Sequence, residues 1–127
     1  MSSFTDYLEN KVLAHVFGGT AYTAPSTLYL ALYTVAPTDT GGGTEVSGGS
    51  YVRLPCAFTV TGNVATNTAA EEWPTATGSW GTVVAVGVFD ALTSGNLLAY
   101  GNLTNSKTIA SGDVLRIPAG DLDITLT

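Results

Sequence analysis

Apolar residues recur at steps of three and four near the start of the chain, which is the spacing of one helix face. The stripe consists of Phe4, Tyr7, Leu8, Val12, Leu13, Val16 and Phe17. Ser3 followed by Asp6 resembles a capping box, and Gly18-Gly19 is a pair that commonly ends a helix. The pattern predicts a single helix over residues 3–17, within a helical segment spanning 1–18.

From Thr27 onward the apolar spacing changes to two, which is typical of β-strands. A proline divides one of these strands, and a glycine-rich loop over 37–50 precedes it. In the last strand we expect Leu122, Ile124 and Leu126 to point inward. The predicted strands span 27–34, 51–61 with a break at Pro55, 64–68, 83–89, 97–100, 107–109, 114–117 and 122–126.

Short strands at such spacing predict a mainly β protein with one N-terminal α-helix. We expect a single compact β-sandwich, jelly-roll-like, or a small barrel of seven to eight strands. The length of 127 residues fits one domain over 1–127.

The composition argues against several classes of partner. Charged residues make up 11% of the chain, against about 25% in an ordinary globular protein, and the net charge is −6. Four dispersed cations cannot neutralise a run of phosphates, so we expect neither nucleic acid nor an anionic membrane as a partner. The first residues lack the basic and apolar regions of a signal peptide, which predicts a chain made in a cytoplasm.

Three possible catalytic groups each have a simpler interpretation. His15 has no nucleophile and carboxylate suggested around it, so packing or surface exposure is favoured over an interface pH switch. Cys56 is the only cysteine, which excludes an internal disulfide and favours a buried apolar role over a nucleophile. Glu71 and Glu72 point to opposite faces of an extended chain, so they cannot flank one glycosidic bond.

Asp113, Asp121 and Asp123 could bind calcium, but the glycine and glutamate of an EF-hand loop are missing. A solvated acidic strand edge is the plainer interpretation. We therefore predict no catalytic residue, cofactor or metal, and no enzyme activity.

The remaining candidates concern contact with partners. Trp73 and Trp80 either cap an open end of the sandwich or form a platform for stacking sugars, with the cap favoured. The glycine-rich loop is either a flexible spacer or a segment that orders against a neighbouring subunit, and it leads directly into Tyr51 and Arg53. The candidate interface consists of Phe4, Tyr7, Leu8, Tyr29, Tyr33, Tyr51, Arg53, Trp73 and Trp80.

Four blocks of the sequence resemble a family of small tailed-bacteriophage and prophage virion proteins, often labelled tail fibre proteins. They cover nearly the whole chain: LENKVLAHVFGGTAY, STLYLALYTVAPTDTGGGTEVSGGSYVR, WPTATGSWGTVVAVGVFDALTSGNLLAYGNL and GDVLRIPAGDLDITL. The resemblance implies a virion structural protein, assembled in the host cytoplasm, whose partners are the major capsid protein or tail proteins.

The chain shows no heptads and no β-helical period, which are common in elongated fibre subunits. A compact domain of this kind favours a capsid decoration (cement) protein, forming a homo-oligomer such as a trimer. The alternative is a tail or tail-fibre component that contacts host glycans. In either case we expect the 3–17 helix or the 37–50 loop to dock on a neighbouring chain.

Overall fold

The fold is seen in a computed structural model, and the structure describes residues 3–126. Within that range the chain forms one helix and eleven strands, several of which are only two residues long. In chain order the elements are β1 (Ser3–Phe4), α1 (Asp6–Val16), β2 (Leu28–Val35), β3 (Thr44–Glu45), β4 (Leu54–Cys56), β5 (Phe58–Thr61), β6 (Val64–Asn67), β7 (Glu71–Glu72), β8 (Gly81–Phe89), β9 (Leu97–Ile109), β10 (Arg116–Ile117) and β11 (Asp123–Thr125).

A six-stranded antiparallel sheet is the framework of the fold. Its order is β1-β9-β8-β2-β3, and β4 pairs with another part of β2. A three-stranded sheet, β11-β6-β5, and the pair β10-β7 complete the structure. The prediction of a mainly β, sandwich-like fold with one helix is confirmed, and the strands do not close into a barrel.

The central strands β2 and β8 are apolar on both faces because each face contributes to a separate cluster. On one face, Leu30, Leu32, Val86 and Val88 belong to the main core. This core also takes side chains from the smaller sheets and the loops, including Cys56, Trp73, Trp80, Leu115, Ile117 and Leu122. On the opposite face lies a smaller cluster of Ala31, Tyr33, Ala85, Phe89 and Leu97.

Helix α1 begins three residues later than the sequence pattern predicts. Residues 3–4 pair with β9 as strand β1, so the predicted capping role of Ser3 is wrong. Thr5 is the N-cap instead: its Oγ1 accepts a hydrogen bond from the Leu8 N–H at 3.4 Å and donates to the Leu97 carbonyl oxygen at 2.7 Å. Because Thr5 is buried, it fastens the start of the helix to the sheet.

Three strand predictions differ from the structure. The segment 51–61 forms not one interrupted strand but β4 and β5, which belong to different sheets. The predicted strands 97–100 and 107–109 are one continuous strand, β9. Leu126, predicted to point inward, has 54% of its surface exposed because it lies at an open end of the sandwich.

Candidate interaction surface

Arg53 is an internal residue, and its guanidinium binds three parts of the chain. It forms two hydrogen bonds of 2.9 Å with the carboxylate of Glu45 on β3. It also donates to the carbonyl oxygens of Ala91 and Ser94, at 2.9 and 2.7 Å, in the turn between β8 and β9. The group lies 3.6 Å from the centre of the Phe89 ring, a cation–π geometry. Only 8% of Arg53 is exposed, so its role here is to join the turn to β3.

Tyr51 completes the same network. Its hydroxyl donates to Glu45 at 2.7 Å and accepts from the Leu32 N–H at 3.0 Å. Burial alone would raise the pKa of Glu45, but the hydrogen bonds from Arg53 and Tyr51, with the Arg53 charge, outweigh it and hold that pKa below its ordinary value. The pKa of Tyr51 is raised, mainly by burial and next by the hydrogen bond that it donates to Glu45. The network is thus a buried ion pair with a neutral tyrosine attached.

The two tryptophans lie inside the main core. Trp73 has 1% of its surface exposed and Trp80 has 4%. The Trp80 indole N–H donates to the Gly49 carbonyl oxygen at 2.9 Å, and its ring meets Tyr51 edge-on with centroids 5.6 Å apart. Neither ring offers the exposed face that stacking on a sugar requires.

The glycine-rich loop is held by its own chain. Gly49 has a φ of 58°, and a Cβ there would stand 2.9 Å from Nε1 of Trp80. The Gly49 carbonyl also accepts from the Thr77 N–H at 3.0 Å. At the other end of the loop, the Asp39 carbonyl accepts from the Asp6 N–H at 2.9 Å, and the Asp39 carboxylate accepts from Tyr100 at 2.5 Å. The loop therefore has ordered contacts without a neighbouring subunit.

Tyr29 and Tyr33 lie on the face of β2 that carries the smaller cluster. Tyr33 is buried and stacks on Phe89, with ring centroids 6.5 Å apart. The pKa of Tyr33 is raised to about 12, mainly by burial and to a smaller extent by the nearby Glu45 carboxylate. Tyr29 is half-buried beside β4, where its register partner is Pro55. Tyr33 therefore has little free surface for a partner, whereas Tyr29 keeps part of its surface exposed.

Of the candidate catalytic groups, Cys56 and Glu71 lie close together inside the protein, whereas His15 and Glu72 are exposed. His15 is exposed, and its Nδ1 accepts from the Tyr22 N–H at 3.1 Å. Cys56 is buried, and burial with the nearby Glu71 raises the pKa of its thiol to about 12. Burial likewise raises the pKa of Glu71. Glu72, in contrast, is exposed and 4.0 Å from Arg116.

The three aspartates that the sequence offered as possible calcium ligands do not form a metal-binding group. Asp113 Oδ2 accepts from the Ala110 N–H at 2.9 Å, and Asp123 accepts from the Thr66 hydroxyl at 2.6 Å, whereas Asp121 is exposed. Over residues 3–126, no three His, Cys, Asp or Glu side chains are grouped so as to hold a metal ion. No helix in that part of the chain is both long and apolar enough to cross a membrane.

The last turn of α1 exposes an unusually apolar surface. Leu13 is 57% exposed, Val16 62% and Phe17 82%. Their spacing of three and four places them side by side on the helix. We call these three residues the helix tip. No residue of α1 is buried. At its start, the helix is joined to the sheet by the hydrogen bond from Thr5 to the Leu97 carbonyl oxygen.

An apolar cleft of about 320 Å³ opens at one end of the sandwich, beside the start of α1. It lies between the six-stranded sheet and the three-stranded sheet. Phe4 and Leu8 line it, so two of the predicted interface residues meet there, whereas Tyr7 does not line it. The other lining residues are Leu28, Phe58, Val60, Gly62, Asn63, Val64, Ala65, Val88, Leu98, Ala99, Ile124 and Leu126.

The sequence predictions missed most of this cleft and named the tip only as part of the helical stripe. The alternation of Phe58 and Val60 with Thr59 and Thr61 on β5 was a usable signal, since it marks one apolar face on a short strand. The stripe of α1 was predicted as one apolar helix face, and the structure leaves its C-terminal end exposed. The described residues thus include two apolar surfaces that remain open to solvent, the helix tip and the cleft.

Comparison with known protein families gives one match. The family model described as Podophage GP4 fiber I protein gp80 matches residues 3–125. The chain belongs to this family, a phage tail fibre-type family of virion structural proteins. No curated protein matches the sequence.

Proposed function

We propose that the protein is a non-enzymatic structural subunit of a phage fibre, and that it attaches to neighbouring virion subunits through the helix tip. The observation that carries this proposal is the exposure of Leu13, Val16 and Phe17 on one helix turn. Exposed apolar patches of this kind, on a protein otherwise able to bury its core, mark interaction sites. Membership of a fibre family supports the same role.

The fold explains how such a tip is presented. Thr5 and the Asp6 N–H fasten the start of α1 to β9 and to the glycine-rich loop, so the far end of the helix projects from a fixed base. Burying the tip against a partner removes apolar surface from water, which favours association by about 1.5–3 kcal/mol for a large side chain. The chain's low charge reduces the cost of desolvating the surrounding surface.

A second candidate, capsid decoration, is favoured by the compact sandwich, since the sequence carries neither heptads nor a fibre repeat. In this version the same tip would dock over joints between capsid subunits. In both versions the protein is one folded domain, is assembled into the virion in the host cytoplasm and forms a homo-oligomer such as a trimer. A glycan-binding role has no support from Trp73 and Trp80, because both rings are buried.

The test is incorporation into virions. A phage lacking its own copy would be complemented with the protein carrying Phe17→Glu, and the particles' content of the protein measured by quantitative mass spectrometry. A charge at the tip should reduce incorporation at least about tenfold, because it would have to be buried unpaired. Val114→Glu is the matched control, since Val114 is also apolar and 47% exposed but lies elsewhere. Full incorporation of both variants would remove the tip from the attachment mechanism.

A further inference from the structure

We infer that a cavity beside Glu71 is a binding site for a cationic side chain, Lys or Arg, of a partner protein. The cavity has a volume of about 680 Å³ and is formed by parts of the segments 25–28, 55–60 and 68–71. No residue of the helix tip lines it, so this site goes beyond the attachment proposed above.

Glu71 is a buried carboxyl without a cation. Only 9% of the residue is exposed, because successive side chains on β7 point to opposite faces and Glu72 takes the solvent side. No Lys, Arg or His side chain of residues 3–126 comes within 4.0 Å of the Glu71 carboxyl oxygens. Buried carboxylates in proteins are normally paired with a cation or bound to a metal. The described part of the chain therefore leaves Glu71 without the partner that such a group normally has.

The contact that Glu71 does make is weak. Among the titratable groups of the described residues, the thiol of Cys56 on β4 is the one that faces it, and a thiol is a weak hydrogen-bond donor. The same thiol lies 3.7 Å from the Ala57 carbonyl oxygen, a second acceptor for its one hydrogen. Burial raises the pKa of Glu71, since the thiol offsets only part of the lost hydration. A cation bound beside Glu71 would stabilise the carboxylate and lower that pKa.

The walls of the cavity suit the remainder of a Lys or Arg side chain. Leu28, Pro55 and Phe58 supply apolar surface for the methylene stem, and Glu71 is the charged residue on the lining. The volume lies within the range of small-ligand sites, roughly 300–1,000 Å³. A bare metal ion fits less well, because residues 3–126 contain no group of three metal-ligating side chains.

The cation has to come from outside this chain. The sequence contains four Lys and Arg residues, and none of them lines the cavity. Arg53 is enclosed in its own network, and Arg116 lies beside Glu72, so a second copy offers few suitable groups. The net charge of −6 attracts basic surfaces to the protein. The occupant that fits is therefore a basic segment of a different protein.

A titration followed by NMR tests the site. The probe is n-butylammonium, which reproduces the stem and head of lysine, and the amide shifts of Cys56 and Glu71 in the full-length protein give its dissociation constant. We expect saturable binding with a dissociation constant below about 100 mM, a weak affinity that suits so small a ligand. Glu71→Gln should raise this constant at least about tenfold, because the charge-assisted hydrogen bond is lost while the shape of the side chain is kept.

Glu72→Gln is the matched control. It removes the same charge from the neighbouring position, where 65% of the side chain is exposed, and should change the dissociation constant less than about twofold. The pH dependence gives a further check. At a pH below the raised pKa of Glu71 the carboxyl is protonated and carries no charge, so affinity should increase as the pH rises through that pKa, compared between about pH 4 and pH 8. The Glu71→Gln variant should lack this increase.

Three results would overturn the inference. Equal affinity of the unmodified protein and Glu71→Gln would show that the carboxyl does not bind the probe. Equal affinity for n-butanol, the neutral ligand of the same length, would show that the apolar walls alone hold it. Equal amide shifts with magnesium chloride would indicate a site for inorganic cations instead of a side chain.

Discussion

Replacing Arg53 with alanine should destabilise the fold strongly, although sequence patterns suggested that this residue belongs to an interface. The substitution removes both hydrogen bonds to Glu45, the two hydrogen bonds to the turn carbonyls of Ala91 and Ser94, and the contact with the Phe89 ring. Glu45 would keep only its bond from Tyr51 and would remain largely enclosed, with 26% of its side chain exposed.

The expected magnitude follows from that geometry. Removing one partner of a buried ion pair costs about 3–5 kcal/mol, because the other charge is left without compensation. Water can partly solvate Glu45 and the carbonyl oxygens of the exposed turn once Arg53 is removed, which reduces the loss. We therefore expect the free energy of unfolding to fall by about 3 kcal/mol, near the lower limit of that range. For a chain of 127 residues this corresponds to a fall in melting temperature of about 10 °C.

Urea unfolding followed by tryptophan fluorescence measures the effect, since Trp73 and Trp80 both lie in the core. Arg116→Ala is the matched control. Arg116 and Glu72 are 4.0 Å apart with 55% and 65% of their side chains exposed, and such a pair contributes less than about 0.5 kcal/mol. If Arg53→Ala cost no more than Arg116→Ala, the network would not hold the turn and β3 together, and this reasoning would be refuted.

Three further predictions concern stability. Tyr51→Phe should lower the free energy of unfolding by about 1–2 kcal/mol in the same urea assay, because it removes the hydroxyl that bridges Glu45 and Leu32, and an unchanged midpoint would contradict this. Glu71→Gln should raise the melting temperature at pH 7. Burial raises the pKa of Glu71 in the folded state, so the protonated carboxyl is favoured there and its contribution to stability is present below the ordinary pKa of 4.5. That contribution is lost as the pH rises through the folded pKa, and the neutral Gln avoids the loss. Its advantage should disappear in calorimetry at pH 4, and an advantage equal at both pH values would count against burial as the cause. Gly49→Ala should lower the free energy of unfolding by about 1–2 kcal/mol more than Gly48→Ala. Both glycines have positive φ, but only at Gly49 would the added Cβ approach another group, Nε1 of Trp80. Equal losses of stability in the two variants would show that this close approach imposes no constraint.

The sequence predicted the central elements well because their patterns are unambiguous. Strand β2 was expected over 27–34 and spans Leu28–Val35, and β8 was expected over 83–89 and spans Gly81–Phe89. Continuous apolar runs of this length are typical of strands buried on both faces, and the structure gives each face its own cluster. The partner strand after the Gly62-Asn63 turn, β6, was also placed correctly.

Long-range contacts determined the features that the sequence did not reveal. Residues 101–106 were not included in a predicted strand, yet pairing with β8 at both ends keeps β9 extended through them. Glu45 is only eight residues from Arg53 in the sequence, but the other partners of the guanidinium are distant. Nothing in the local pattern indicates that the carbonyl oxygens of Ala91 and Ser94 accept hydrogen bonds from the same side chain. Trp73 and Arg53 were both included in the candidate interface, and only the assembled core shows that both side chains are enclosed.

Copy number per virion tests the proposed function most directly. Quantitative mass spectrometry of purified particles, calibrated against the major capsid protein, would give the number of copies. A fibre subunit should be present in a small number of copies, matching a multiple of the tail symmetry. Near parity with the major capsid protein would contradict the fibre assignment and establish capsid decoration instead.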